Sequence, residues 1–231
     1  AIAPICEPVE KRMTATMTAY AQQGMGCVMQ FVEERELLRR SFARLIHATP
    51  EEIALTKNTS EGIIAIAQGL TWSAGDRVIL FDGEFPSNIT PWLQAAKQHQ
   101  LNPIFLSKPH TPDQILSEVE QTLRKGARLL SLSAVQFQTG FRMPLEEIGF
   151  LCRQYGCLFF VDAIQACGVT PIDVNAQHID FLSTGGHKWL MGVEGTACTY
   201  IRKEVLSLVQ HRFASWLSHQ DGLSFLSLIH I

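Results

Sequence analysis

Along this chain a short apolar run is followed, again and again, by a stretch with helical periodicity. The runs lie at 53–57, 77–81, 103–107, 128–134, 157–162, 179–183 and 196–201, and helical patterns fall at 31–47, 63–67, 88–99, 112–123 and 144–155. Runs of this length, with a strand-like alternation at 53–57, suit strands, and the intervening segments are long enough for helical crossovers between parallel neighbours. The expected fold class is therefore α/β: a three-layer α/β/α sandwich with a mainly parallel sheet. In such sheets ligands gather at the carboxyl ends of the strands, so residues just after each apolar run are the first candidates for a site.

Composition narrows the field. With 231 residues, 46% hydrophobic, the chain can bury a large core, and its net charge of −3 carries no basic signature for nucleic acid. No uninterrupted apolar stretch of ~20 residues is present, so a membrane span is not expected, and the first residues lack a signal-peptide layout. Cys6, Cys27, Cys152, Cys157, Cys167 and Cys198 form no C-x-x-C pair. Several lie in apolar runs and read as buried thiols of a protein kept in a reducing cytoplasm, and no zinc site is expected.

Two residues after such runs stand out. Lys188 lies in Phe181-Leu182-Ser183-Thr184-Gly185-Gly186-His187-Lys188-Trp189, and Asp162 ends Cys157-Leu158-Phe159-Phe160-Val161-Asp162. A lysine in a turn of small residues, with Trp189 and Leu190 as a dry wall, can be held neutral and so condense with an aldehyde. A carboxylate on a rigid strand end can hold a protonated pyridine nitrogen. Each also has a plainer reading: Asp162 as a helix cap and Lys188 as a solvated surface lysine. Asn58-Thr59-Ser60-Glu61-Gly62 opens an apolar helix, where unpaired N–H groups and hydroxyls suit either a phosphate or a simple N-cap.

Taken with Glu84-Phe85-Pro86-Ser87-Asn88, Ser133-Ala134-Val135-Gln136-Phe137, Val161-Asp162-Ala163-Ile164-Gln165-Ala166 and Gly186-His187-Lys188, the chain resembles the class V aminotransferase family of fold-type I pyridoxal-phosphate enzymes. That family includes cysteine desulfurases, kynureninases and isopenicillin N epimerase-like proteins. The resemblance implies pyridoxal 5'-phosphate as cofactor and Lys188 as the Schiff-base lysine and proton-moving base. Asp162 would be the partner of the pyridine nitrogen, Phe85 the ring stacked on the cofactor face, and Gln165 a contact to its phenolic oxygen. Thr59, Ser60 and His187 would be phosphate ligands. It further implies an amino-acid substrate, a homodimer, and transamination, epimerisation or β-elimination as the reaction.

Several positions depart from the family's pattern. Gly185 stands where many relatives have a phosphate-binding serine, leaving Thr184 as a substitute hydroxyl. Phe85 replaces the histidine usual in desulfurases, and no asparagine occurs in 133–140; both features weigh against the desulfurase or lyase branch, which stays as the alternative. A reading of another class is a silent scaffold that keeps the fold without turnover. The expected organisation is an N-terminal helical segment at 1–48, a cofactor-binding large domain at 49–210, and the start of a C-terminal region at 211–231. The chain is read as a piece of a longer protein, with Trp216 or its neighbours as partner-side groups.

Overall fold

The computed structural model describes residues 2–108, 110–210 and 212. Almost all of the segment expected to open a C-terminal region, 211–231, including Trp216, therefore lies outside the described residues.

Two helices, α1 (Glu7–Gln23) and α2 (Val28–Leu45), form a hairpin around a short 3-10 turn. Tyr20 stacks on Phe31 at 5.6 Å between centroids, and Arg12 pairs with Glu34. α1 buries no residue of its own, whereas the end of α2 drives Phe42 and Ala43 into the core. The sheet follows, with β1 (Ile53–Thr56), β2 (Arg77–Phe81), β3 (Asn102–Leu106), β4 (Leu129–Ser133), β5 (Leu158–Asp162), β6 (Phe181–Gly185) and β7 (Ala197–Ile201). The crossover helices are α3 (Thr59–Gly69), α4 (Thr90–His99), α5 (Pro112–Leu123) and α6 (Leu145–Gln154). Expected strand positions agree to within a residue or two; the 179–183 run becomes 181–185.

Sheet order is β1-β7-β6-β5-β4-β2-β3, with β7 antiparallel to both neighbours and every other pairing parallel. β1 therefore points the same way as β2 to β6. The central strands are buried on both faces, and their side chains divide with period two. In β5, Phe159 and Val161 join a cluster with Ile115 and Val119 of α5 and Ile148 of α6, while Leu158 and Phe160 join another with Ile63 of α3 and Trp92 of α4. The single large core expected is thus two clusters, separated by the sheet.

This division has a consequence at the carboxyl ends. β3 follows β2 on one side and β4 lies on its other side, so α4 and α5 cover opposite faces and a crevice opens beyond β2 and β4. On the face under α3 and α4, apolar residues give way to Ser131, Ser133, Asp162, Ser183 and Thr199, all buried. Gly62 lets α3 lie directly on this polar patch: a Cβ there would fall 2.2 Å from Thr199 Oγ1 and 2.3 Å from Ser183 Oγ.

Candidate active site at the carboxyl ends of the strands

Asp162 is the last residue of β5 and faces the α3 side, as the period of two from Leu158 and Phe160 requires. It is 2% exposed, and its Oδ1 accepts the Ile164 N–H at 3.0 Å. Burial pushes its carboxyl up to about 7; the Ile164 N–H and Lys188 oppose this, while the neighbouring Glu84 reinforces it. A carboxyl so placed gains most from a cationic partner.

Lys188 lies past the end of β6 in a turn closed by Met191 N–H to Lys188 O at 3.0 Å and Gly192 N–H to Gly186 O at 2.8 Å. Partial burial lowers the pKa of its amine, and the Asp162 charge opposes the change. Leu190 packs against the apolar cluster as expected of a dry wall, but Trp189 is half in solvent. Phe85, after β2, lies with its ring centroid 5.9 Å from Lys188 Nζ and edge-on to Phe137 at 5.3 Å.

Thr59 is the first residue of α3, whose N-cap Asn58 accepts the Glu61 N–H at 2.8 Å. The cap need is therefore met by Asn58, and Thr59 Oγ1 is left buried without a partner. Ser60 instead donates to Ser87 at 2.8 Å, tying α3 to the segment that carries Phe85. The His187 ring lies beside Gly185, where a Cβ would come 3.1 Å from its Cε1 and Nδ1, and its carbonyl accepts the Ala3 N–H. Gln165 meets the indole of Trp189 at 3.2 Å.

Thr184, offered by sequence as a substitute phosphate donor, is directed elsewhere. It faces the opposite side of the sheet, lining a cavity of about 710 Å³ under α1 and α2 with Phe42 and Cys198. Ser183 is the β6 hydroxyl on the α3 side, and it donates to Thr59 O at 3.0 Å. The reason is again the period of two.

The crevice holds a group that sequence reasoning quoted but gave no role. The buried carboxylate of Glu84 accepts Ser133 N–H at 2.7 Å, Gln136 Nε2 at 2.8 Å, and the Ser133 hydroxyl. Ser133 pairs with Asp162 in the sheet, so Glu84 joins the Phe85 loop to the strand beside Asp162. An acid placed just after an apolar strand was the available signal.

Comparison with known proteins matches residues 1–215 to the aminotransferase class V family. The chain is 28% identical over 218 residues to the uncharacterized aminotransferase YcbU of Bacillus subtilis (strain 168), covering 94% of this chain and 58% of that protein. It is 33% identical over 195 residues to a probable cysteine desulfurase of Pyrococcus abyssi (strain GE5 / Orsay), covering 83% and 48%. Among solved structures, the apo cysteine desulfurase from Thermococcus onnurineus NA1 superposes with a TM-score of 0.81 at 29% identity, over 93% of this chain and 55% of that one. The cystine C-S lyase C-DES, in complex with cysteine persulfide, shares the fold at a TM-score of 0.85 and 24% identity, over 92% and 58%. This chain thus spans about half the length of the curated relatives it matches.

Proposed function

This chain belongs to the class V aminotransferase family, and from that premise we propose that it forms the cofactor-binding part of a pyridoxal-phosphate enzyme acting on an amino acid. The observation that carries the reading is the convergence of Lys188, buried Asp162 and the unpartnered Thr59 hydroxyl beyond β6, β5 and β1. The residues present fit the cofactor: a buried carboxyl in want of a cation, an amine whose pKa is lowered by burial, and a helix start with an orphaned hydroxyl. When bound, pyridoxal 5'-phosphate supplies an aldehyde that links to an amine and a ring that absorbs the electrons of a bond broken at the amino acid's α carbon.

The chain's own groups then have distinct tasks. Lys188 presents an amine whose neutral form is favoured by partial burial, and once free it takes or returns the proton at the α carbon. Asp162, fixed by the Ile164 N–H, would hold the protonated ring nitrogen. Thr59, Ser60 and His187 would bind the phosphate, the first through its free hydroxyl and the field of the α3 N-terminus. Phe85 would cover one face of the ring, and Gln165 would contact its phenolic oxygen.

We assign the protein to the cytoplasm, in keeping with its thiols, all free; a homodimer is what the family resemblance implies. Among the described residues no helix is long and apolar enough to cross a membrane. A second reading, desulfuration of cysteine, is supported by the names of the relatives from Pyrococcus abyssi and Thermococcus onnurineus NA1; Phe85 in the place of histidine stands against it.

The test is an absorbance spectrum of the protein with added pyridoxal phosphate, before and after borohydride reduction, followed by peptide mapping. Label on Lys188, and loss of the visible band in Lys188→Ala, are expected; label at another lysine overturns the assignment. Sulfide released from cysteine, measured against amino transfer from other amino acids, separates the two readings.

A further inference from the structure

The proposed function gives the Gln165 amide a contact to the cofactor, and an amide side chain has two faces of opposite sign. Rotation about its last bond exchanges a carbonyl acceptor for an N–H donor, and little in the side chain itself prefers either. Here the choice is made by a neighbour. The indole Nε1 of Trp189 lies 3.2 Å from Gln165 Oε1. Indole nitrogen is a donor only, so the amide must turn its oxygen to Trp189, and its N–H groups point away from the indole.

The main chain that carries the indole is itself held. Gly168, at φ +98°, lies against the Trp189 main chain so closely that a Cβ there would fall 2.5 Å from Trp189 O and 2.7 Å from Trp189 C. Its left-handed conformation and missing side chain let the loop after β5 and the loop after β6 clasp each other. At the near end of the first loop, Asp162 Oδ1 holds Ile164 N. The turn carrying Gln165 and the turn carrying Lys188 are thus fixed to one another, with Trp189 as the side-chain link.

We propose that Trp189 is a positioning residue: through Nε1 it locks the Gln165 amide with its donor, not its acceptor, available to the phenolic oxygen of the cofactor. The inference rests on the proposed function and concerns a residue which that reading leaves without a task. A pre-set donor favours the ionised oxygen over the protonated one, so the lock acts on cofactor affinity and on the pH at which the bound cofactor changes its spectrum. Freeing the glutamine restores rotamer freedom corresponding to about three- to ten-fold in an equilibrium constant, which is about half to one unit in that pH midpoint.

The experiment is a pH titration of the visible band of the cofactor-loaded protein, with cofactor Kd measured by fluorescence on the same samples. In Trp189→Phe, which keeps a ring and removes the donor, Kd is expected to rise about three- to ten-fold and the midpoint to rise by about half to one unit. Trp189→His, which retains an N–H, should recover most of both. In a Gln165→Ala background Trp189→Phe should change neither, since the two residues act as one. A wild-type midpoint in Trp189→Phe overturns the proposal, and so does an equal shift in the Gln165→Ala background, which would mean that the indole acts through packing. Wild-type protein that forms no visible band overturns the functional reading itself, and is distinguished by that from failure of the inference alone.

Discussion

Replacing Asp162 by asparagine is expected to make the cofactor-free protein more stable at alkaline pH while removing its capacity to hold a pyridinium. Asp162 is 2% exposed, and burial lifts its carboxyl from the ordinary 3.8 to about 7. A group protonated more readily in the folded than in the unfolded chain favours folding below the unfolded value, and that contribution is lost as pH rises through the folded value. Across a shift of about three units the loss approaches about 4 kcal/mol, complete above about pH 8. Asparagine has the same shape, keeps an oxygen for the Ile164 N–H and carries no charge. Asp162→Asn should therefore match wild type near pH 3, below the unfolded value, and exceed it by about 4 kcal/mol at pH 8.5. The assay is urea unfolding of both proteins, without cofactor, between those limits; at a slope of about 2.5 kcal/mol/M the midpoints should separate by about 1.5 M. A variant with the wild-type pH dependence, or one less stable than wild type at pH 8.5, would refute the claim that an unpaired buried carboxylate is held at this strand end.

Glu84→Ala leaves Ser133 N–H and the Gln136 amide without their acceptor in a buried crevice; a loss of about 3 kcal/mol is expected, seen in thermal unfolding as a fall of roughly 9 °C. Glu84→Gln should lie between the two, and a variant as stable as wild type would remove Glu84 from the frame of the site. Gly62→Ala forces a methyl into Thr199 Oγ1 and Ser183 Oγ and should cost about 1–3 kcal/mol. Part of that loss should return when Ser183→Ala and Thr199→Ala remove the two oxygens; no recovery would place the strain elsewhere.

Much of this molecule is legible along the chain, for reasons that can be named. Runs such as Val78-Ile79-Leu80-Phe81 and Leu158-Phe159-Phe160-Val161 are apolar at every position because helices cover both faces of the sheet. Thr111-Pro112 marks the start of α5, with Ile115, Val119 and Leu123 spaced to face the core. Lys188, Asp162 and Phe85 can be picked out because each lies at, or a few residues past, the carboxyl end of a strand. α1 lies within the segment expected to be helical at 1–48, but its own bounds are not legible, since it buries nothing and carries no apolar stripe of its own. Glu84 is not legible in this way, because an acid after a strand looks like any turn residue until Ser133 and Gln136 are known to face it.

Local pattern determined the elements, the alternation of their faces and the strand ends from which the functional residues emerge. These depend on periodicity and on turn chemistry, which are properties of neighbours in sequence. Which residues meet was decided only by the order of the strands. Because β4 lies between β5 and β2, Glu84 reaches Ser133 across a gap of 49 positions. Because β6 adjoins β5, Lys188 comes within the field of Asp162. The division of the carboxyl-end hydroxyls, Ser183 to the α3 side and Thr184 to the other, is likewise set by the sheet. Period two tells that they differ, but only the packing of α3 against β6 says which one faces the site.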